Sequence, residues 1–224
     1  MWQESKRASS GVESLWVCDV DALTLKKVVC QLENTHPLGR VMDIDVLNPA
    51  GEILSRKTLG MPKRKCFLCD NEAYVCARTR AHSYEALNAH LKTLVKEHAF
   101  AQSVALWCER AMLKEVELTP KPGLVDKHNS GAHDDMDIHT FYASIKAIKP
   151  FVEHFVEVGQ RGVNEEALIV FERLREVGIR CEIAMFEATK GVNTHRGMIF
   201  CLALFGGALG RLYAKKLPLS ALLS

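Results

Sequence analysis

Residues 117–137, ELTPKPGLVDKHNSGAHDDMD, limit most strongly what this chain can fold into. This first polar segment holds two prolines, two glycines, two histidines and four aspartates, but almost no large apolar side chain. Because it cannot bury itself, we expect a loop, and a loop rich in acids and imidazoles is typical of a ligand site. A second polar segment, residues 189–197 (TKGVNTHRG), lies between two helical patterns. The two segments predict one composite site on a helical scaffold; two solvated connections are the alternative.

Apolar residues at helical spacing fill most of the remaining chain. Asp19 or Asp21 is expected to cap a helix that ends before His36. A long helix is expected over about residues 83–117. Beyond the first polar segment, a proline and a glycine are expected to end helices. Helices are therefore predicted from about Phe141 to Pro150, at 151–158, from Asn164 to Gly178, at 180–188 and at 197–214.

The sheet signal is confined to the N-terminal part. Residues 41–47 are expected to form a strand, 48–51 a turn and 52–59 a return strand, whereas residues 1–17 show no clear periodicity. The predicted fold is mainly α: a multi-helical domain, preceded by a small α+β piece with a short β-hairpin. The two parts are expected to meet near His98, which gives domains at 1–97 and 98–224.

Composition excludes some classes of function. The 224 residues, 48% of them hydrophobic, suit one or two domains with a sizeable core. A net charge of +2 argues against nucleic acid or a membrane surface as the main partner. Residues 56–80 nevertheless carry seven lysines and arginines against two acids, a pattern that suits either phosphate binding or an ordinary solvated loop.

The expected localisation depends on two sequence features, a secretory signal and an apolar run long enough to span a membrane. No secretory signal is recognised. The longest apolar run, residues 198–210, has thirteen residues, and a membrane helix needs about twenty. The eight cysteines are then expected to be reduced thiols or metal ligands rather than disulfides. We expect a cytoplasmic protein with no membrane partner.

Asp43 and Asp45 are two residues apart on the predicted strand, so both carboxylates are expected on one face. Paired carboxylates of this kind hold divalent cations such as Mg²⁺. An exposed polar strand face explains the same pattern without a metal.

Cys66, Cys69, Cys76 and His82 form the pattern C-x2-C-x6-C-x5-H. The spacing of the first pair is typical of zinc ligands, and the third cysteine and the histidine complete a tetrahedral set. Structural Zn²⁺ and reduced, partly buried thiols are both compatible with the pattern. A zinc-stabilised nucleic-acid-binding module would combine this cluster with the basic stretch 56–80.

Longer motifs resemble known families. TPKPGLVDKHNSGAHDDMD followed by EATKGVNTHRGMIF resembles the triphosphoribosyl-dephospho-CoA synthase family, from about Ala99 to the C-terminus. GRVMDIDVL and CFLCDNEAYVCARTRAHS resemble the phosphoribosyl-dephospho-CoA transferase of the citrate lyase acyl carrier protein, over about residues 15–97. The resemblance implies a fusion that holds part of each enzyme.

The resemblance also implies two reactions in the biosynthesis of the citrate lyase prosthetic group. In the first, the 2′-hydroxyl of 3′-dephospho-CoA attacks C1′ of the substrate ATP and adenine leaves. In the second, the phosphoribosyl-dephospho-CoA group passes to a serine of the acyl carrier protein, which becomes a protein partner, and pyrophosphate leaves. Both reactions imply Mg²⁺ on the phosphates.

Within that chemistry, residue type suggests roles. The catalytic candidates are Asp126, His133, Asp135, Asp137 and His195. The substrate-binding candidates are Lys121, Asn129, Gly131, Asn193, Arg196, Arg40 and Arg56. The Mg²⁺ candidates are Asp43, Asp45 and Asp134.

The sequence departs from the family at Arg196, where the second motif normally has a lysine after the histidine, and a planar guanidinium is not equivalent to an ammonium ion. The synthase-like part is expected to hold only the earlier portion of that family, and the transferase-like part only the later portion. An inactive remnant that binds nucleotide, metal or carrier protein is therefore the alternative to an active enzyme.

Overall fold

A computed structural model describes residues 2–8 and 11–222. It divides the chain into an N-terminal unit, Met1–Leu94, and a C-terminal unit, Val95–Ser224. The prediction of a mainly α fold with a small β-hairpin is confirmed. The boundary between the units falls inside one helix, α3 (Tyr84–Glu117).

The hairpin lies where no regular structure was expected. Strands β1 (Trp2–Ala8) and β2 (Gly11–Val17) pair antiparallel, with Ser5 opposite Ser14. The described side chains of both strands are exposed. Because neither face is buried, no apolar alternation marks these strands in the sequence.

Helix α1 (Ala22–Thr35) begins as predicted. Asp21 caps it by accepting a hydrogen bond from the Thr24 backbone N–H at 2.9 Å. Further along the unit, helix α2 covers Ala73–Thr79.

The strands predicted at 41–47 and 52–59 are wrong. A single antiparallel bridge joins Leu47 to Ile53, and Arg56–Leu59 form a 3₁₀ turn. The predicted turn at 48–51 is present, with the Asn48 side chain accepting hydrogen bonds from the backbone of Ala50 and Glu52. Pairing stops early because the chain turns away immediately after Leu54 and Ser55.

The C-terminal unit is built from the part of α3 after Leu94 together with α4 (Ile138–Arg161), α5 (Ala167–Ala188) and α6 (Arg196–Ala214), followed by a 3₁₀ turn at Leu219–Leu222. Helix α4 packs against both α5 and α6. Its apolar stripe supplies the centre of the core, where the largest fully buried apolar side chains are Ile145, Ile148, Phe155, Met185 and Ile199.

Two helix ends predicted from sequence are wrong. Pro150 lies inside α4. A proline removes the hydrogen bond to the carbonyl four residues earlier, but both Pro150 and Lys146 are exposed, so water can satisfy that carbonyl. Gly178 lies inside α5, whose buried stripe continues from Val177 to Cys181. Packing of these stripes outweighs the local signals.

Glycines bring α4 and α6 unusually close. A Cβ on Gly210 would lie 2.0 Å from the Val156 carbonyl oxygen, and one on Gly159 would lie 2.0 Å from the Gly207 carbonyl oxygen. Only glycine allows this approach of two helix backbones.

Among the described residues, α6 is long and apolar enough to cross a membrane by length and composition alone. The helix is longer than the thirteen-residue apolar run, so the argument from run length does not hold. Buried core helices of other proteins also satisfy these criteria of length and composition. The glycine face of α6 is packed on α4.

We expect Gly210→Ala to destabilise the protein by about 1–3 kcal/mol, because the new methyl group overlaps the α4 backbone. Gly178→Ala is the matched control, since no atom beyond its chain neighbours and its own helix backbone lies within 4 Å of its Cβ position. That substitution should be neutral, or stabilising by up to about 1 kcal/mol. Denaturant unfolding measures both, and equal effects would contradict the packing argument.

Candidate active site

Asp126 organises the first polar segment. This aspartate is buried, and its carboxylate accepts hydrogen bonds from the backbone N–H groups of Lys121, His128 and Asn129 at 3.1, 2.8 and 3.0 Å. The His128 and Lys121 bonds lower the pKa of Asp126 more than burial raises it. A carboxylate held in this way fixes a loop, and its catalytic role stays a prediction.

The segment folds back on itself around Gly131. This residue has φ of 59°, and a Cβ there would lie 2.6 Å from the backbone of Gly123 and Leu124. Asn129 assists by accepting the Gly131 N–H with its side-chain oxygen at 2.8 Å. Gly131 and Asn129 therefore shape the loop, whether or not they also contact a substrate.

The predicted histidine and aspartates at 133–137 lie at the surface of the segment. Asp137 caps α4 and forms a capping box with Thr140, whose N–H is the main cause of the lowered pKa of Asp137. His133 Nδ1 lies 3.8 Å from Asp135 Oδ1. Asp134 is exposed and has no polar partner among the described residues.

A cleft of about 410 Å³ is formed by the second polar segment, the end of α3 and the start of α4. Its lining residues are Met112, Glu115, Phe141, Asn193, Thr194, His195, Arg196, Gly197 and Met198. A second cleft of about 350 Å³, between α5 and α6, is mostly apolar. The first cleft is therefore the candidate site.

His195 is the buried polar group of the cleft. Its Nδ1 lies 2.7 Å from the Ser144 hydroxyl, which accepts a hydrogen bond from the Thr194 hydroxyl, also at 2.7 Å. The imidazole edge packs on Phe141, with ring centroids 5.1 Å apart. Burial lowers the pKa of His195, against a smaller opposing effect of Glu115, so the ring is neutral at neutral pH. Ser144 carried no sequence signal, because it lies within an apolar helical stripe.

Two ion pairs border the cleft. Lys121 Nζ lies 3.0 Å from Glu115 Oε1, and Arg196 Nε lies 3.3 Å from Glu182 Oε2. Asn193 accepts the Arg196 backbone N–H at 3.3 Å. Glu115 was not among the predicted residues, although it lies just before the first polar segment.

The two polar segments are connected, but they do not contribute equally. Residues 193–197 of the second segment line the cleft directly, while the first segment reaches it through Lys121 and Glu115. The five residues from Asp126 to Asp137 nominated as catalytic or metal-binding do not line this cleft. Their roles remain predictions.

In the N-terminal unit, Asp43 and Asp45 lie on an extended segment and are both exposed, while Ile44 and Val46 between and after them are more buried. The predicted common face is thus present without a regular strand. Neither carboxylate has a polar partner among the described residues. Two free carboxylates are a donor set that suits a hard cation.

The basic stretch is organised around Glu33. This carboxylate is only 1% exposed and pairs with Arg56, at 2.8 Å, and with Arg64. Arg40 donates to the Lys65 carbonyl oxygen and stacks over the Phe67 ring at 4.9 Å. Burial lowers the pKa of Arg40 further than neighbouring charges do.

Much of this stretch is paired rather than open to a polyanion. Besides Arg56 and Arg64, Lys63 pairs with Glu72 and Lys65 with Asp70. This pairing counts against a nucleic-acid surface here. The burial of Glu33 could have been predicted from the sequence, because this residue continues the helical stripe of Lys26, Val29 and Cys30.

Cys66, Cys69, Cys76 and His82 are brought together as their spacing predicted. One potential ligand atom from each lies within 4.8 Å of the others. The Leu68 N–H lowers the pKa of Cys66 to about 7, whereas burial raises that of Cys76 to about 11.

We expect His195 to make stability depend on pH. Its folded pKa is below the unfolded value of about 6.5. As pH falls through that value, the unfolded chain takes up a proton that the folded chain does not, which favours unfolding. The stability advantage of the wild type over His195→Asn should therefore shrink from about pH 8 to about pH 5, by at most about 1.4 kcal/mol per pH unit. Other histidines cancel in this difference, which denaturant unfolding measures. A constant or growing difference would contradict the burial argument.

Comparison with known proteins supports both resemblances. The family model described as apo-citrate lyase phosphoribosyl-dephospho-CoA transferase matches residues 1–98. The model described as ATP:dephospho-CoA triphosphoribosyl transferase matches residues 101–222.

Curated relatives include the same combination. Protein CitXG of Haemophilus influenzae is 39% identical over 207 residues, which covers 92% of this chain and 44% of the relative. Protein CitXG of Leuconostoc mesenteroides is 37% identical over 211 residues, covering 89% and 44%. A probable 2-(5''-triphosphoribosyl)-3'-dephosphocoenzyme-A synthase of Vibrio cholerae is 52% identical over 111 residues, covering 50% and 36%.

The chain spans less than half the length of these relatives. The synthase-like match nevertheless covers more than half of this chain. The chain thus belongs to the ATP:dephospho-CoA triphosphoribosyl transferase family, with a segment matched by the apo-citrate lyase transferase model in front of the family's own residues.

Proposed function

We propose that the C-terminal unit joins the ribosyl group of ATP to 3′-dephospho-CoA, giving 2′-(5-triphosphoribosyl)-3′-dephospho-CoA and adenine. The observation that carries this proposal is the cleft that the second polar segment forms around the buried, neutral His195. The cleft lies within the residues that the synthase family model matches.

The reaction breaks the bond between C1′ of ATP and N9 of adenine and forms a bond between C1′ and the 2′-oxygen of the acceptor. The hydroxyl proton leaves the acceptor, and the departing adenine takes up a proton. A site for this chemistry needs a hydrogen-bond donor near adenine, a carboxylate near the positively charged C1′, and cations near the phosphates.

His195 is suited to the first of these needs. Because the Thr194 hydroxyl donates to Ser144, the Ser144 hydroxyl is free to donate to His195 Nδ1. This chain leaves the proton of the neutral ring on Nε2. The Nε2 atom has no hydrogen-bond partner among the described residues, so it is available to hold a proton where adenine leaves.

Glu115 supplies a carboxylate within the cleft, and its partner Lys121 sets its orientation. Asp134 and Asp135 add exposed carboxylates in the first polar segment. Arg196 lines the cleft and can meet the phosphates if it leaves Glu182.

Magnesium fits this donor set, because Asp134 is exposed and has no polar partner in the described part of the chain. When bound, Mg²⁺ would reduce the negative charge of the triphosphate. The residues that would hold it are Asp134 and a neighbouring acid of the first polar segment, which lie outside the lining of the cleft.

For the N-terminal unit we propose transfer of the phosphoribosyl-dephospho-CoA group to a serine of the citrate lyase acyl carrier protein. The serine oxygen forms a bond to the α-phosphorus of the triphosphate, the bond from that phosphorus to the pyrophosphate oxygen breaks, and the serine hydroxyl proton passes to solvent. Asp43 and Asp45 would hold Mg²⁺, and Arg40 lies on the same short stretch of chain. Arg56 is occupied by the buried Glu33, so its contribution to phosphate binding is secondary.

We expect the donor at Nε2 of His195 to matter for adenine release. His195→Gln keeps an N–H near the Nε2 position, whereas His195→Asn keeps a polar group near Nδ1 only. Activity should fall in the order wild type, Gln, Asn, with the Asn variant about 10²–10⁴-fold below wild type.

The assay follows free adenine from ATP, Mg²⁺ and 3′-dephospho-CoA by chromatography, and calorimetry verifies that the variants still bind ATP. Equal activity of the two variants would remove the donor role. No adenine from the wild type would favour the alternative of an inactive remnant that binds nucleotide.

We expect the double change Asp43→Asn and Asp45→Asn to abolish Mg²⁺-dependent loading of the carrier protein while adenine release stays intact. Loading is measured as the mass increase of the carrier protein when 2′-(5-triphosphoribosyl)-3′-dephospho-CoA is supplied. Asp70→Asn is the matched control, because the one partner of this exposed acid among the described residues is the exposed Lys65. Persistent loading by the double variant would show that the two carboxylates are an ordinary solvated face.

A further inference from the structure

The cysteine cluster of the N-terminal unit is held by a short hairpin and the helix that follows it. Lys65 and Glu72 form an antiparallel bridge, and the Cys66 N–H donates to the Asn71 carbonyl oxygen at 2.7 Å. Cys66 and Cys69 lie in the hairpin, Cys76 in α2, and His82 just beyond α2. Backbone pairing, without any contribution from the side chains, thus brings four potential metal ligands together.

The distances between these side chains match a tetrahedral metal site. Cys69 Sγ lies 3.5 Å from Cys76 Sγ, and 3.3 Å from His82 Nε2. With Zn–S of about 2.3 Å and Zn–N of about 2.0–2.1 Å, a tetrahedral zinc ion separates two sulfurs by about 3.8 Å and sulfur from nitrogen by about 3.6 Å. A disulfide needs about 2.05 Å between sulfurs, and all of these cysteines are free.

The backbone around Cys66 also suits a thiolate ligand. The Leu68 N–H donates to Cys66 Sγ at 3.5 Å. Bonds of this kind stabilise the negative sulfur and fix the direction of its lone pairs. The turn that follows Cys66 is therefore arranged to favour a thiolate at this position.

The N-terminal unit has little apolar core to hold this segment. Among its described residues, the buried hydrophobic side chains are Val29, Cys30, Val46 and Cys76. Small units with so few buried apolar groups commonly need a metal or disulfides to fold stably.

We infer that Cys66, Cys69, Cys76 and His82 bind one structural zinc ion that fixes the segment 64–82. Four protein ligands close the coordination sphere, so the ion has no open position for catalysis. The bound segment carries Arg64, which pairs with the buried Glu33, and Lys65, whose carbonyl oxygen accepts from Arg40. Zinc therefore also fixes the Lys65 partner of Arg40, and Arg40 lies on the same short stretch of chain as Asp43 and Asp45.

The test uses the full chain purified without chelators. Elemental analysis should find about one zinc per chain, and a mercurial that titrates thiols in the wild-type protein should release it to a coloured zinc indicator. Replacement by cobalt should give the absorption bands of a tetrahedral thiolate site. This part of the test does not depend on whether any variant folds.

Variants then locate the site. Cys69→Ser should lose zinc, His82→Cys should retain it because a thiolate replaces the imidazole, and Cys201→Ser, an exposed thiol outside the cluster, should be unaffected. Removing zinc should increase amide hydrogen exchange over residues 64–82 while α4 stays protected.

Three results would overturn the inference. One is metal-free protein in which all three cluster thiols react freely with a thiol reagent and chelators change nothing. Another is a Cys66–Cys69 disulfide that forms reversibly in the purified protein, which would assign the pair to redox chemistry. The third is full zinc content in Cys69→Ser.

Discussion

The close contact between α4 and α6 determines the geometry of the candidate active site. At one end of this contact, Gly159 and Gly210 leave no room for a Cβ. At the other end, Ser144 of α4 reaches His195, the residue that caps α6, at 2.7 Å. A wider separation of the helices would break that hydrogen bond and leave a buried imidazole unpaired, which costs about 1–3 kcal/mol. The packing of the two helices and the orientation of the imidazole ring are therefore a single constraint. The glycine contacts and the hydrogen bond to His195 lie more than ten residues apart along each helix.

Local signals predicted helices well and their interruptions badly. The cap of α1 at Asp21 and the length of α3 followed from short-range rules. Pro150 and Gly178 carried equally strong signals for helix ends, yet both helices continue, because the buried stripe on the opposite face is worth more than one lost hydrogen bond or one flexible residue. The hairpin of β1 and β2 was missed for the converse reason: its exposed faces give no apolar pattern, and backbone pairing alone leaves no trace in the sequence.

Residue type identified the polar segments correctly, but it could not distinguish the acids within them. Asp126 and Asp137 are of a residue type that often serves in catalysis. Each of them, however, accepts hydrogen bonds from backbone N–H groups and so holds part of the scaffold. Glu115 and Ser144 were missed, because each lies on a helix whose pattern is explained by packing. A sequence shows which side chains can ionise; only the fold shows which of them are already satisfied by the backbone. His195 was predicted, but its neutral state depends on burial, which the sequence does not reveal.

The two units resist unfolding by different means, and this difference bears on their chemistry. The C-terminal unit has a continuous apolar core, so a neutral, buried His195 can line its cleft without threatening the fold. The N-terminal unit instead centres on the buried Glu33 and two arginines. Removing one partner of such a cluster leaves an uncompensated charge, at a cost of about 3–5 kcal/mol. The main role of these arginines is therefore to stabilise the fold, and substrate binding would compete with it. The free carboxylates of Asp43 and Asp45, which support nothing else, are the groups there best able to change partners during a reaction.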